Sequence, residues 1–276
     1  MRTEEGPRSK ALHSPARRHF FHIVAAAASC AAVAGLSTGA RANYKSRFPP
    51  QNPGPEPGPN PNTACFLRGT PILTPAGEIP VEALSIGDRV LTVSGESRPI
   101  KWIGQRTYRE SATARWPETI EPIRVARSAL ADNVPNADLY VSPLHALYLD
   151  GVLIPVMHLV NGTTIRPGMP DGMQDIEYFH VELETHDVVL AAGAPAETYR
   201  EFANREIFGN FAEYYRLYGR NEETIPPACA PYLHYSDARA HLKALLRLGV
   251  SRVVDVRDPI QVARDRLATR AAALAL

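Results

Sequence analysis

Cysteine is scarce in this sequence, with Cys30, Cys65 and Cys229 the three thiols among 276 residues. They lie far apart in the chain, so a framework of disulfides is not supported. A zinc site is not supported either, because no cysteine and histidine stand at the spacing of metal ligands. The sequence therefore predicts neither a metal nor another cofactor.

An excess of charge of one sign is also missing, since 30 basic and 29 acidic residues leave a net charge of +1. A chain without a basic surface has no field that attracts the phosphates of nucleic acid. We therefore expect no nucleic-acid partner. The sequence is instead rich in turn residues, with 25 prolines and 18 glycines, which favour short strands over long buried helices.

The amino terminus has the pattern of a bacterial export signal. An arginine pair at 17–18 precedes bulky apolar residues, and an Ala-rich apolar run follows at 23–36. The small-x-small pattern at 40–42 is typical of a cleavage site. Residues 1–42 are thus predicted to be a twin-arginine-type signal peptide, with the mature chain exported, periplasmic or secreted.

Two other interpretations of this segment remain. The stretch from Phe20 to Leu36 is at the short edge of the length that a bilayer core requires, so a retained signal would act as an anchor. Cys30 would be the acylated residue of a lipoprotein, but the residues before it lack the usual branched apolar side chain. In each case the membrane is contacted only through the signal segment.

Residues 43–63 read as a proline-rich linker. Seven prolines stand between Pro49 and Pro61, interleaved with glycine, asparagine and glutamine. Such a segment cannot form a core or a strand ladder, so we expect an extended, solvated arm. The arm joins the folded body at the Ala64–Cys65 peptide bond.

Short alternating segments bounded by turn residues begin directly after Cys65 and predict a mainly all-β body. The Asp150-Gly151 pair between two apolar runs is the strongest hairpin signal. The strand candidates are 71–74, 89–93, 100–103, 123–125, 139–141, 146–149, 152–156, 178–183 and 187–191.

From Ala196 the apolar period approaches 3.6 residues, which indicates helix. A further helix is expected through 242–248, ended by Gly249, and a last one begins at Pro259. Residues 196–276 are therefore predicted to be a mainly helical carboxyl-terminal extension of the β body.

Three blocks of the sequence carry an ordered set of motifs. The first begins with Cys65 and holds a Gly-Thr turn, a Thr-x-x-Gly turn and a Gly-Asp-x-Val-Leu step up to Thr92. The second, 140–148, holds Ser-x-x-His, and the third is 178–193. Together they resemble the blocks of the Hint domain, the hedgehog/intein self-processing module, which has Thr-x-x-His in the second. The resemblance implies a horseshoe-like β fold over residues 64–195.

The same resemblance implies which residues act and how. Cys65 would attack the Ala64 carbonyl and turn the peptide bond into a thioester, an N-to-S acyl shift in which the chain's own amino-terminal segment is the substrate. His145 would protonate the leaving nitrogen, and the Ser142 hydroxyl would help to hold the oxyanion. His186 and Asp187 would correspond to the His-Asn pair of the closing block.

Asp187 decides which reaction we expect, because a carboxylate is a poor nucleophile toward its own backbone, and Val188 after it has no nucleophile. Full splicing is therefore not expected. The thioester would be resolved by hydrolysis or by transfer to an external nucleophile, in a single turnover. Two alternatives remain: a Hint-derived scaffold or interaction module that does not process itself, and a cysteine hydrolase acting in trans.

Overall fold

The structure, a computed structural model, describes residues 64–109, 116–200, 205–219, 227–233 and 258–275. The predictions made for residues 1–63 and for a helix at 242–248 lie outside these ranges. Within the described ranges, no helix is long and apolar enough to cross a membrane.

The described residues form two antiparallel sheets, as predicted for a mainly β chain. One sheet has the strand order β10-β6-β7-β1-β11-β5-β4, and the other has the order β3-β2-β12-β13-β8-β9. The strands are β1 (Phe66–Leu67), β2 (Pro71–Thr74), β3 (Gly77–Pro80), β4 (Arg89–Leu91), β5 (Ser97–Tyr108), β6 (Ile123–Val125), β7 (Leu139–Val141), β8 (Ala146–Leu149), β9 (Val152–Pro155), β10 (Ile165–Pro167), β11 (Ile176–Leu183), β12 (Val188–Ala191) and β13 (Ala194–Glu197).

The hairpin predicted at Asp150-Gly151 is confirmed. β8 pairs with β9 so that Leu149 faces Val152 across a two-residue turn. Both turn residues have positive φ, 50° at Asp150 and 87° at Gly151. That conformation matches the right-handed twist of the flanking strands, which is why the Asp-Gly pair predicts the turn.

Two segments differ from their predicted structure. β5 has twelve residues, although its pattern suggested a short strand, because β11 pairs with it from Ile100 to Tyr108 and extends it. The helix predicted from Ala196 is wrong at its start. Ala194–Glu197 is a strand that pairs with β12 and β8, and burial between these partners overrides the helical period.

β1 decides which parts of the chain meet. Although it has only two residues, it lies between β7 and β11, with Phe66 opposite both Val141 and Phe179. The residue before β1 is Cys65, the residue after β7 is Ser142, and both are buried. Because Phe66 pairs with Phe179 and Leu67 with Tyr178, the same register carried one residue back sets Cys65 opposite His180.

The carboxyl-terminal part packs into the same core as the strands. Helix α1 (Phe211–Tyr218) and helix α2 (Pro259–Leu274) are its described α-helices. Ile260 and Leu267 of α2 join the main apolar cluster, whereas Phe208 and Tyr214 join the aromatic cluster around Trp102 and Cys65. Residues 227–233 lie beside β9, where the Leu153 amide donates to the Pro231 carbonyl at 2.8 Å.

Candidate functional site

The Cys65 backbone is held on both sides by one residue. Its N–H donates to the Ser142 hydroxyl oxygen at 2.8 Å, and its carbonyl accepts the Ser142 N–H at 2.9 Å. Cys65 and Ser142 are 1% and 3% exposed. The Ala64–Cys65 peptide nitrogen is therefore fixed by a hydroxyl acceptor inside the protein.

His145 follows Ser142 in a tight turn, in which its N–H donates to the Ser142 carbonyl at 3.0 Å. The imidazole is buried against the Phe66 ring, with ring centroids 4.3 Å apart. Burial lowers the pKa of His145 to about 4, although the Glu197 carboxylate and the backbone of Cys65 act in the opposite direction. His145 is therefore neutral at pH 7.

His180, on β11, contacts the bond from its other side. Its Nδ1 hydrogen-bonds the carbonyl oxygen of Ala64. The ring is buried between Tyr199, edge-on at 4.4 Å, and Phe208, stacked at 5.5 Å. Burial lowers the pKa of His180 to about 3, and the neighbouring His145 adds to the effect. A neutral ring satisfies a carbonyl oxygen only with an N–H, so Nδ1 carries the proton.

The role of His180 was missed by sequence reasoning, which assigned a role to His186 but none to His180. Alternation along β11 could not assign it, because all residues from Tyr178 to Leu183 are buried. The informative signal is the register with β1, which sets His180 opposite Cys65. A single sequence does not contain that register.

His186 and Asp187 point in different directions. The buried His186 accepts the Cys229 N–H on Nδ1 at 3.1 Å, and its Nε2 lies 3.6 Å from Oε2 of Glu197. The Asp187 carboxylate instead accepts the N–H of Val188 and lies 3.5 Å from Arg98 on β5. Burial raises the pKa of Asp187. The structure thus places His186 against Glu197, whereas Asp187 contacts Val188 and Arg98.

Glu197 is a second residue that sequence reasoning missed. It ends β13, is 3% exposed, and accepts the Ala146 N–H at 2.7 Å. Its carboxylate influences the pKa of His145 and lies beside His186. The sequence had indicated a helix here, and a glutamate in an exposed helix carries no functional signal.

The site can be described as two adjoining groups. The first, the bond clamp, consists of Ser142, His145 and His180 around the Ala64–Cys65 bond. The second, the carboxylate pocket, consists of His186 and Glu197. Within the described ranges, no group of three or more histidine, cysteine, aspartate or glutamate residues is arranged to hold a metal ion.

Residues 64–203 match the family model described as the Hint domain. Among solved structures, the chain is similar to a bacterial intein-like domain from Clostridium thermocellum, at 15% identity and a TM-score of 0.34, over 49% of this chain and 98% of that one. It is also similar to a DnaB intein from Synechocystis sp. PCC 6803, at 9% identity and a TM-score of 0.34, over 50% of this chain and 99% of that one. Among curated proteins, none matches the chain.

Proposed function

Because the chain belongs to the Hint-domain family, we propose that it cuts its own backbone between Ala64 and Cys65. The reaction begins with an N-to-S acyl shift and ends with hydrolysis or transfer of the thioester, without splicing. The observation that carries this proposal is the bond clamp: one peptide bond has Ser142 at its nitrogen, His180 at its oxygen and a thiol on the adjoining side chain.

The nucleophile needs no separate binding step. Attack of the Cys65 sulfur on the carbonyl carbon of Ala64 closes a five-membered ring within one chain. Well-oriented intramolecular reactions of this kind gain roughly 7 to 11 kcal/mol over bimolecular ones. Burial of Cys65 excludes bulk water from the first step, so the thioester forms before a hydrolytic nucleophile competes.

His180 supplies the donor that the oxyanion requires. As the sulfur adds, negative charge develops on the Ala64 oxygen, to which the Nδ1–H of His180 already points. A preorganised donor in a dry site stabilises that charge more strongly than water does. This assigns the oxyanion to His180, whereas the sequence had suggested Ser142, whose hydroxyl contacts the nitrogen instead.

The proton balance runs through His145. The neutral imidazole takes the thiol proton, the C–N bond between Ala64 and Cys65 breaks, and the proton passes to the Cys65 nitrogen. An imidazolium whose pKa is about 4 is a strong acid toward that nitrogen. The products of the first step are a thioester at Cys65 and a free amine on the same residue.

The second step releases the amino-terminal segment. Water attacking the thioester carbonyl gives a carboxylate at Ala64 and returns the Cys65 thiol, and another nucleophile would give the corresponding adduct. Splicing would need a side-chain amide followed by a nucleophile, and the chain has Asp187 followed by Val188. We further propose that the reaction follows export, directed by the signal in residues 1–42.

A mass measurement tests the proposal. The full chain is expressed with an amino-terminal tag and weighed after incubation alone, with a thiol and with hydroxylamine. We expect a fragment that begins at Cys65, formed faster with either reagent, because both attack thioesters. Cys65→Ala should abolish the fragment, whereas Cys30→Ala, which removes a thiol outside the Hint domain, should leave it.

Each other outcome has a defined meaning. An intact chain under all conditions rules out self-cleavage and favours the non-processing scaffold. A cut at any other bond, or a cut that persists in Cys65→Ala, contradicts the acyl shift and favours a protease acting in trans.

A further inference from the structure

The carboxylate pocket has a place next to the bond clamp but no part in the reaction described so far. Glu197 is a buried acid whose Oε1 accepts the Ala146 N–H at 2.7 Å. Ala146 is the residue after His145, so the carboxylate is hydrogen-bonded to the backbone directly beside the residue that carries the imidazole. Burial of a carboxylate is costly unless it is paired or performs a function.

Several titratable groups interact with the Glu197 carboxylate. Nε2 of His186, two residues before β12, lies 3.6 Å from its carboxylate, and the charge of Glu197 acts to raise the pKa of His145. Arg200 and Tyr232 also interact electrostatically with it. The guanidinium of Arg200 lies 3.9 Å from the centre of the Tyr232 ring, against which it packs.

The orientation of His186 follows from its backbone contact. Nδ1 accepts the Cys229 N–H, so in the neutral ring the proton is on Nε2. The Nε2–H therefore faces the Glu197 carboxylate, and residues 227–233 fix the tautomer from outside the matched domain. Each carboxylate oxygen therefore faces an N–H group: Oε1 accepts the Ala146 N–H, and Oε2 faces the Nε2–H of His186.

We propose that Glu197 is a positioning residue of the self-cleavage reaction, whose negative charge stabilises the positive charge that forms on His145 while it carries the Cys65 proton. The proposal rests on the proposed function. In the resting site His145 is neutral and buried, so its protonation is the unfavourable step. A carboxylate attached to the same turn offsets that cost, as the acid of a serine-protease triad does for its histidine.

Glu197→Gln tests the charge and keeps the shape. The amide oxygen still accepts the Ala146 N–H, but the NH2 group then faces the Nε2–H of His186. The cleavage rate is therefore read together with the titration of His145, which a structural role alone would not move. We expect cleavage of the full chain to slow by about 10- to 100-fold at pH 7, with partial rescue by Glu197→Asp. Glu184→Gln, the same substitution at an exposed position between β11 and β12, should cleave at the wild-type rate.

A second readout does not depend on cleavage. In the uncleavable Cys65→Ala chain, ¹⁵N NMR of the histidine side chains measures the titration of His145 with Glu197 and with Gln at that position. We expect the midpoint to fall by about one pH unit, a tenfold change in proton affinity, when the charge is removed.

The results separate the two proposals. An unshifted His145 midpoint, or an unchanged cleavage rate in Glu197→Gln, overturns the role of Glu197 while self-cleavage stands. A wild-type chain that never cleaves overturns the proposed function, and with it the catalytic role of Glu197, even if the NMR shift is observed.

Discussion

The two ends of the site are built differently, although sequence blocks pointed to both. At Ala64–Cys65, groups from the turn between β7 and β8 and from β11 converge on one peptide bond, and their side chains are buried. At His186–Asp187, two consecutive residues diverge, with the imidazole facing Glu197 and the carboxylate facing Arg98. The first end surrounds one peptide bond with buried polar groups, whereas the second end has the contacts of a structural turn.

The difference teaches that a role implied by a matched motif must be tested separately for each residue of the motif. Neighbours in an extended chain point to opposite sides, so a pair of residues does not occupy one site as a unit. His186 joins the carboxylate pocket from its position before β12. Asp187 caps the start of β12 instead, where its carboxylate accepts the Val188 N–H.

The largest expected effect is at His180. His180→Phe keeps an aromatic ring between Tyr199 and Phe208 but removes the donor to the Ala64 oxygen. We expect the rate of fragment release to fall by roughly 10² to 10³, the usual loss for one oxyanion donor. The rate is measured by mass spectrometry over time in the tagged full chain.

The matched control is His158→Phe, which replaces a half-buried histidine on a short 3-10 helix. It should cleave at close to the wild-type rate. Equal rates for His180→Phe and wild type would remove the contrast between the two ends, because the clamp would then have no donor of consequence.

Acid should destabilise the clamp through its two neutral histidines. Their folded-state pKa values, about 4 for His145 and about 3 for His180, lie below the ordinary unfolded value near 6.5. Their contribution is complete above pH 6.5 and is lost as the pH falls toward 4 and 3. At pH 5, each of the two histidines lowers the free energy of unfolding by roughly 2 kcal/mol relative to its value above pH 6.5.

Urea unfolding of the Cys65→Ala chain at pH 7 and pH 5 measures this effect without cleavage. The Cys65→Ala/His180→Phe chain should lose about half of the pH dependence, because one of the two titrating rings is gone. A stability that stays level between pH 7 and pH 5 would mean that these imidazoles are solvated or already charged.

The smallest effect is expected at Asp187. Asp187→Asn restores the amide that splicing chemistry uses, yet the side chain faces Arg98 and not the reacting bond. We expect the rate of cleavage at Ala64–Cys65 to change by less than about twofold, with no cut between residues 187 and 188. A tenfold change, or a second fragment in the mass spectrum, would show that the two ends act together.

Much of the fold could be predicted from the sequence because its signals are local. The Asp150-Gly151 turn needs positive φ at both residues, and the pattern of β7, Leu139–Val141, matches its observed bounds. The helix from Pro259 is also local, since Asp258 caps it through the Ile260 N–H. β13 was mistaken for helix because its strand partners are distant in sequence.

The site was predictable where one block holds its residues. Ser142 and His145 share a turn whose spacing is visible in the sequence, and Cys65 is the first residue of its block. His180 and Glu197 come from pairings of β11 with β1 and of β13 with β8, and no local pattern encodes either register. The positions of His180 and Glu197 in the site therefore depend on strand pairings between distant segments, which the sequence alone does not specify.

Ser142 binds the backbone of Cys65 twice: its hydroxyl accepts the Cys65 N–H, and its N–H donates to the Cys65 carbonyl. Neither hydrogen bond requires the Ala64–Cys65 bond to be intact. In the proposed reaction, the amine formed when the bond breaks therefore stays beside the thioester carbonyl, in position to attack it and restore the peptide bond. The proposed acyl shift is consequently reversible. Commitment then comes from the nucleophile that intercepts the thioester, while the bond clamp determines how fast the thioester forms.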